Sequence, residues 1–439
     1  MKNFTGPLLI LTYLLVCRAT LYSQPLKNTK GSLSKILTNF EKNHSRFLTL
    51  RYTLKAAHKM RAAAVTRSPG YELEWEQEDI PLAGDYRDSI GKAIYKKSRE
   101  HPTKRKNRIS IQDLKIKQII FQYEQERISL LNEIRSDLNL IFFARQRKIL
   151  FEKFMDEALK IRKVAMRKMQ AGIVTGIDFS KMDLEASKWQ KEIEIYKKQV
   201  KFYQKSFSSI YEITDQFLQT IPWHCPEPRK IKHETLGEQI AHHPAILEKN
   251  ITKGINILYA RRAQLKTIKE YSWSVGAGAN LKGKDPQIQF GISFPFEKQQ
   301  PFKAEKEAYE WYARAITHQK LNQIKNKRIK LQNALFNTEL NFKKWVDLKN
   351  ELIPGAQKLN RLAIAGYKAG TLTLLDLLET RKSLVDLEIE AIIAWKDWTI
   401  NITKIFSLIG PFKEDPQGEY ILLPPSPYVN QWITGEHIK

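Results

Sequence analysis

From Thr103 to Ile221 the chain has no proline, and its only glycines there are Gly172 and Gly176. Within this stretch Ile119, Tyr123, Ile128, Leu131, Ile134, Leu138 and Ile141 recur every three or four positions with charged residues between them. That is the spacing of one helix face. The pattern predicts two long helices meeting at one tight turn. The first covers about Arg108 to Gln170, on the order of 95 Å at 1.5 Å per residue, with the stripe of a coiled coil rather than of a globular core helix. The plan repeats from Phe302 to Gly410, where breakers are confined to Pro354-Gly355, Gly366 and Gly370. A long helix is expected to run toward Gly370 and a shorter one to leave from about Thr373.

The two predicted turns are copies. Ala171-Gly172-Ile173-Val174-Thr175-Gly176-Ile177-Asp178 aligns with Ala369-Gly370-Thr371-Leu372-Thr373-Leu374-Leu375-Asp376. Each reads A-G-x-x-T-x-x-D, with glycine as a left-handed helix end and Thr with Asp three residues on as a capping box for the next helix. An internal repeat at fixed offset implies one supersecondary unit used twice.

Alternation of period two marks the strands. Ile288, Phe290, Ile292, Phe294 and Phe296 fall on one face and Gln287, Gln289, Gly291, Ser293 and Pro295 on the other. A lipid-facing apolar side with a small polar side toward a lumen is the pattern of a barrel strand. Tyr271, Trp273, Val275, Ala277 and Ala279 alternate likewise and complete a hairpin; a sheet edge inside a soluble domain has the same pattern. In the first half Tyr71, Leu73 and Trp75 alternate with Glu72, Glu74 and Glu76. The return strand is expected near Asp88 to Lys97, where Ile90 and Ile94 share a face with Lys92 and Lys96, a poor face for lipid.

Composition narrows the class. The 439 residues are 42% hydrophobic and 27% charged, with net charge +26, too polar for a polytopic helical membrane protein. Lys2, the apolar run Leu8 to Val16, and Ala19 and Ser23 have the order of a secretory signal. Leu14-Leu15-Val16-Cys17 offers the alternative of lipidation at Cys17, with Val16 where a small residue is expected. Beyond Cys17, Cys225 is alone, so no internal disulfide is expected. The basic charge comes without a nucleic-acid motif, and the expectation is a lysine-rich solvated surface and no nucleic-acid partner. His224, Cys225, His233, His242 and His243 are metal-ligand types at spacings that fit no standard site. No nucleophile–base set or phosphate loop appears, so neither enzyme activity nor a cofactor nor a resident metal is expected.

Three segments carry a family resemblance: Glu351-Leu352-Ile353-Pro354-Gly355-Ala356, Ala365-Gly366-Tyr367-Lys368-Ala369-Gly370 and Leu374-Leu375-Asp376-Leu377-Leu378-Glu379. Together with Gly291-Ile292-Ser293-Phe294-Pro295-Phe296, they resemble the second repeat of the TolC-like outer-membrane efflux proteins. Ser68-Pro69-Gly70-Tyr71-Glu72-Leu73 is similar to the strand opening of the heavy-metal, CzcC-like branch. The resemblance implies a mainly α fold with a small β part, in two repeats of β-hairpin and long antiparallel helical hairpin. Three copies would form an α-barrel tunnel topped by a shared transmembrane β-barrel. The expected organisation is a signal peptide over 1–23, a first repeat over 24–221, a proline-rich linker over 222–235, a second repeat over 236–410 and a tail over 411–439.

The implied function is a passive exit duct in the outer membrane, with a large periplasmic part. Its implied partners are two further copies, outer-membrane lipid, a periplasmic adaptor and an inner-membrane pump of the RND type. A protein-export duct of the same family and a periplasmic coiled-coil scaffold without a pore are the other readings. By resemblance Asp376 and Glu379, with Tyr367 and Asp178, would form the gate, although Leu372 stands where a familiar family member has arginine. Ala171, Gly172, Ile173, Lys368, Ala369, Gly370 and Thr371 would meet the adaptor, unless turn chemistry alone accounts for them. Asp376 as a simple cap and Glu379 as a solvated residue remain the alternative to a gate.

Overall fold

The computed structural model describes residues 40–66, 70–78, 90–98, 100–213, 225–231, 236–268, 270, 272–280, 286–293, 300–410, 412–414 and 420–422. The signal segment with Cys17, Phe294 and Phe296, His224 and His233, half of the linker and most of the tail lie outside these residues.

The first half contains α1 (Ser45–Val65), β1 (Gly70–Glu78), β2 (Ile90–Ser98), α2 (Pro102–Gln170) and α3 (Gly176–Tyr211). The second contains a short α4 (Leu236–Gln239), α5 (Pro244–Leu265), β3 (Ser272–Asn280), β4 (Pro286–Ser293), α6 (Gln300–Asp347), α7 (Ile353–Ala369) and α8 (Leu374–Ile409). A small hairpin of β5 (Phe412–Glu414) and β6 (Tyr420–Leu422) follows.

Two rods set the length. α2 has 69 residues and spans about 104 Å at 1.5 Å per residue. α6 and α7 are joined through a π-helical turn, Leu348–Leu352, into a second rod. The turn has a local cause: proline cannot donate a backbone hydrogen bond and crowds the carbonyl four residues back. One wide turn places Pro354 in the opening positions of α7, where no donor is needed. Shorter helices lie end to end along each rod. α1 and α3 pack on α2, and α5 and α8 pack on α6, while α5 and α8 also touch α2 and so join the halves.

α2 begins at Pro102, six residues before the expected start, because His101 caps it through Nδ1, which accepts the Thr103 N–H at 3.3 Å. His44 caps α1 and His243 caps α5 in the same way. Histidine is outside the usual set of N-caps, which is why these starts were not visible as caps. His243 is buried, and its pKa is lowered to about 4, chiefly by burial, then by Lys327, against a backbone hydrogen bond at Ser407.

The depressed value fixes the sign of a pH effect. The folded chain holds His243 neutral where the unfolded chain, at 6.5, takes up a proton. Stability from this group is therefore full above pH 6.5 and declines as pH falls toward 4. The gap converts to about 3 kcal/mol. His243→Asn keeps a capping oxygen and should flatten this part of the profile, as checked by denaturant unfolding between pH 7 and 4.5.

Cys225 is buried, with Sγ 2.9 Å from Asn139 Oδ1. The strand of chain that it opens is tied down by Trp395 Nε1 donating to the Pro226 carbonyl at 2.8 Å and by Lys349 at 2.9 Å from Glu227. Cys225 and His243 are thus packing and capping groups. Among the described residues no cluster of three or more His, Cys, Asp or Glu is placed to hold a metal ion, and no helix is long and apolar enough to cross a membrane.

Candidate functional site: a two-faced sheet and paired helical tips

The candidate functional groups sit at opposite ends of the rods. At one end the four strands form a single antiparallel sheet in the order β1-β2-β3-β4, so β2 and β3 join the two halves. Register determines its faces. Leu73, Tyr95, Val275 and Phe290 stand in one row, and Trp75, Ala93, Ala277 and Ile288 in the next. Tyr71, Trp273 and Ile292 extend this face in a row that also holds Lys97, whose Nζ lies 5.0 Å from the centre of the Tyr71 ring. Leu73 is 80% exposed and Phe290 79%, so large apolar side chains stand open where a soluble domain would cover them.

The opposite face is polar. Its rows are Glu72, Lys96, Ser274 and Gly291, then Glu74, Ile94, Gly276 and Gln289, then Glu76, Lys92, Gly278 and Gln287. Lys96 Nζ pairs with the Glu74 carboxylate across the strands. The return strand is thus Ile90–Ser98, and its face bearing Lys92, Ile94 and Lys96 turns to the polar side. Its apolar contribution is Ala93 and Tyr95. Ile94, the lone large apolar group among these polar rows, is buried over Gly276. Gly278 leaves no room for a side chain, since a Cβ would lie 2.5 Å from the Gly91 carbonyl oxygen.

At the far end the two helical hairpins turn in the same way. Gly172 (φ 70) and Gly370 (φ 83) take the left-handed conformation. Ile173 N–H donates to the Lys168 carbonyl at 2.8 Å and Gly172 N–H to Met169 at 3.0 Å. In the second hairpin Thr371 N–H donates to Gly366 at 2.9 Å and Gly370 N–H to Tyr367 at 3.3 Å. Both are paired helix-end bonds of the Schellman type. Ala171, Gly172, Ile173, Lys368, Ala369, Gly370 and Thr371 are all exposed. They stand on two turns held together by Lys168, whose Nζ donates to the Tyr367 carbonyl and lies 4.4 Å from the centre of the Tyr367 ring.

Thr373 and Asp376 form a reciprocal capping box: Thr373 N–H donates to Asp376 Oδ2 at 3.0 Å and Asp376 N–H to Thr373 Oγ1 at 3.2 Å. The Thr373 hydroxyl, and then its backbone N–H, hold the Asp376 carboxyl below its usual range, so it is anionic at neutral pH. Glu379 is exposed one turn further on. Asp386 and Glu390 continue this exposed side of α8, with exposed Lys382 standing between Glu379 and Asp386. Glu390 is paired to Lys344 at 3.1 Å. Tyr367, by contrast, is buried between the hairpins. It lies against Lys168, whereas Asp376 and Glu379 are exposed, so Tyr367 does not share their face. Asp178 lies in the first turn of α3, with its side chain outside the described set.

One group escaped the sequence reading. Arg381, 1% exposed, donates to the Phe154 carbonyl and lies 3.7 Å from Glu157. Burial lowers its pKa, with Glu157 and Glu185 opposing. The available signal was its place in the apolar series Leu374, Leu377, Arg381, Leu384, where spacing alone assigns it to the core.

No family model matches the chain, and no curated protein sequence matches it. Solved structures do. A structure of CusC, described through its folding and transmembrane channel formation, superposes with a TM-score of 0.71 at 11% identity, covering 86% of this chain and 92% of that one. The outer-membrane channel OprN gives 0.70 at 14% identity over 86% and 89% of the two chains. The CmeC outer membrane channel of Campylobacter jejuni gives 0.67 at 12% identity over 91% and 89%. The chain therefore has the fold of the TolC-like outer-membrane channels, with identities so low that the likeness concerns fold.

Proposed function

We propose that this chain, with the fold of outer-membrane channels as its starting point, is the outer-membrane exit duct of a tripartite efflux system. It conducts small solutes or metal ions passively and has no enzyme activity. The observation that carries this reading is the sheet. One face is broadly apolar and exposed, the other is lined by paired charges, glycines and glutamines, and it crowns rods about 100 Å long. An apolar face of that kind fits lipid and the polar face fits water, which is the division of a barrel wall.

Four strands cannot enclose a useful pore, and the free edges of β1 and β4 cannot stand open in lipid, so several copies must share one barrel. A homotrimer, with four strands per copy, is our reading. The helical rods then form the periplasmic tunnel, and the signal segment, with or without lipid at Cys17, brings the chain there. Asp376 and Glu379, with Asp178 and Tyr367, guard the entrance. The exposed turns around Gly172 and Gly370 meet a periplasmic adaptor, behind which an RND-type pump supplies the energy. The sequence at Ser68-Pro69 resembles the opening of the CzcC-like branch, in keeping with a cargo of small solutes or metal ions.

The test is assembly and location. The chain expressed with its leader should fractionate with the outer membrane and run as a trimer by native mass in detergent. A monodisperse monomer that washes from membranes with salt would instead mark a periplasmic scaffold.

A further inference from the structure

By register the apolar face of the sheet carries one charge among the described residues, Lys97, in the row nearest the helical rods with Tyr71, Trp273 and Ile292. On a face otherwise apolar, a charge needs a partner. The carboxylates just beyond the strand ends are engaged elsewhere, Glu100 by Arg108 at 3.0 Å and Glu270 by Lys104 at 3.1 Å. Among the described residues Lys97 meets the Tyr71 ring, with Nζ 5.0 Å from its centre, and no carboxylate lies within ion-pair distance.

Aromatic rings frame the ammonium. Tyr95, one row further from the rods, lies 5.6 Å from Tyr71 and 5.9 Å from Trp273, centre to centre. Tyr71 is 53% exposed, Trp273 39% and Tyr95 37%. Tyr and Trp join an apolar body to a polar tip and gather where hydrocarbon meets water. Strand length places the group at such a boundary. β1, β2 and β3 have nine residues each. At about 3.3 Å per residue and a tilt of about 40° they rise ~23 Å, close to the ~25 Å band that a barrel presents to hydrocarbon. The row of Tyr71, Lys97 and Trp273 therefore stands at the rod-side rim, at the level of headgroups. Toward the opposite rim Trp75 lies over Gly91, and no charge accompanies it on that face.

We infer that Lys97, framed by Tyr71 and Trp273, binds the phosphodiester of an anionic phospholipid in the leaflet on the rod side, one lipid per copy. This rests on the lipid-facing reading of the sheet proposed above and names the lipid class. The ammonium supplies charge and hydrogen bonds to phosphate oxygens. The rings flank the glycerol region, and the acyl chains follow the apolar row of Tyr95, Val275 and Phe290. A zwitterionic headgroup brings its own ammonium to the same place and so gains less.

Native mass spectrometry reads the site on the full chain in detergent, titrated with phosphatidylglycerol or with phosphatidylethanolamine of the same acyl chains. Phosphatidylglycerol should be retained at up to one molecule per copy and preferred about fivefold, as for one lysine at an anionic lipid surface. Lys97→Gln should bring the two lipids to parity, and Lys97→Arg should keep the preference. Lys55→Gln, an equal change of charge at an exposed site on α1, should not alter it. Equal retention of both lipids by the parent chain overturns the site, as does a preference that survives in Lys97→Gln. Inorganic phosphate that displaces phosphatidylglycerol at equal concentration marks a free-anion site and overturns the proposal as well. Each of these results leaves the duct reading standing, whereas a parent chain that washes from membranes with salt overturns both.

Discussion

Phe290→Arg should lower the amount of chain in the outer membrane by tenfold or more, while Gln289→Arg, one residue away, should leave it near the parent level. The two positions are adjacent in β4 but face opposite sides of the sheet, and their neighbours define those sides: Leu73, Tyr95 and Val275 beside Phe290, Glu74, Ile94 and Gly276 beside Gln289. On the lipid face of a barrel an arginine near the midplane costs about 2 to 4 kcal/mol. In the proposed trimer that cost would be incurred three times. On the lumen face the guanidinium stays in water beside carboxylates. Equal membrane levels for the two variants, measured by fractionation and immunoblot, would show that Phe290 does not face lipid.

The second large effect concerns the entrance. In the proposed trimer Asp376 and Glu379 would come together as six carboxylates, close enough in a narrow opening to attract multivalent cations. Divalent cations added on the tip side should block ion current. Asp376→Asn combined with Glu379→Gln retains the size of both side chains and the acceptor needed by Thr373, so the turn survives and only charge is lost. The block should weaken by about tenfold or more. An unchanged blocking concentration, in a variant that still assembles, would leave Asp376 with its capping role alone.

The helical hairpins were legible because their signals are local. Gly172 and Gly370 end helices within one turn of the residues that predict them, and Thr373 meets Asp376 three residues later. The first β-hairpin was legible in position, its strands falling in β1 and β2, but the character of the β2 face was not, because that information lies in its neighbours. Lys92 and Lys96 make a poor lipid face until β1 places Glu72, Glu74 and Glu76 across from them, after which the same face reads as a polar, charge-paired side of the sheet. A single strand carries no record of that pairing.

Two features needed the tertiary structure. The long helix expected to run toward Gly370 does pass Pro354, and the structure shows how: a π turn leads it into the start of α7 and the rod continues. Arg381 sits where the apolar period calls for a leucine, and only tertiary packing of α8 on α2 explains how a guanidinium is accommodated there. For the entrance, the sequence placed Asp376 and Glu379 on one helix face, as found. Their meeting with equivalents from other copies depends on assembly, which no single chain encodes on its own surface except through its edges.

The most direct measurement is conductance. Purified full-length trimer added to a planar lipid bilayer should insert in discrete steps, each adding the same ohmic current, with block by divalent cations from one side only. A chain that partitions with the outer membrane yet leaves the bilayer silent under these conditions, with the tip carboxylates both present and neutralised, would contradict its reading as an exit duct.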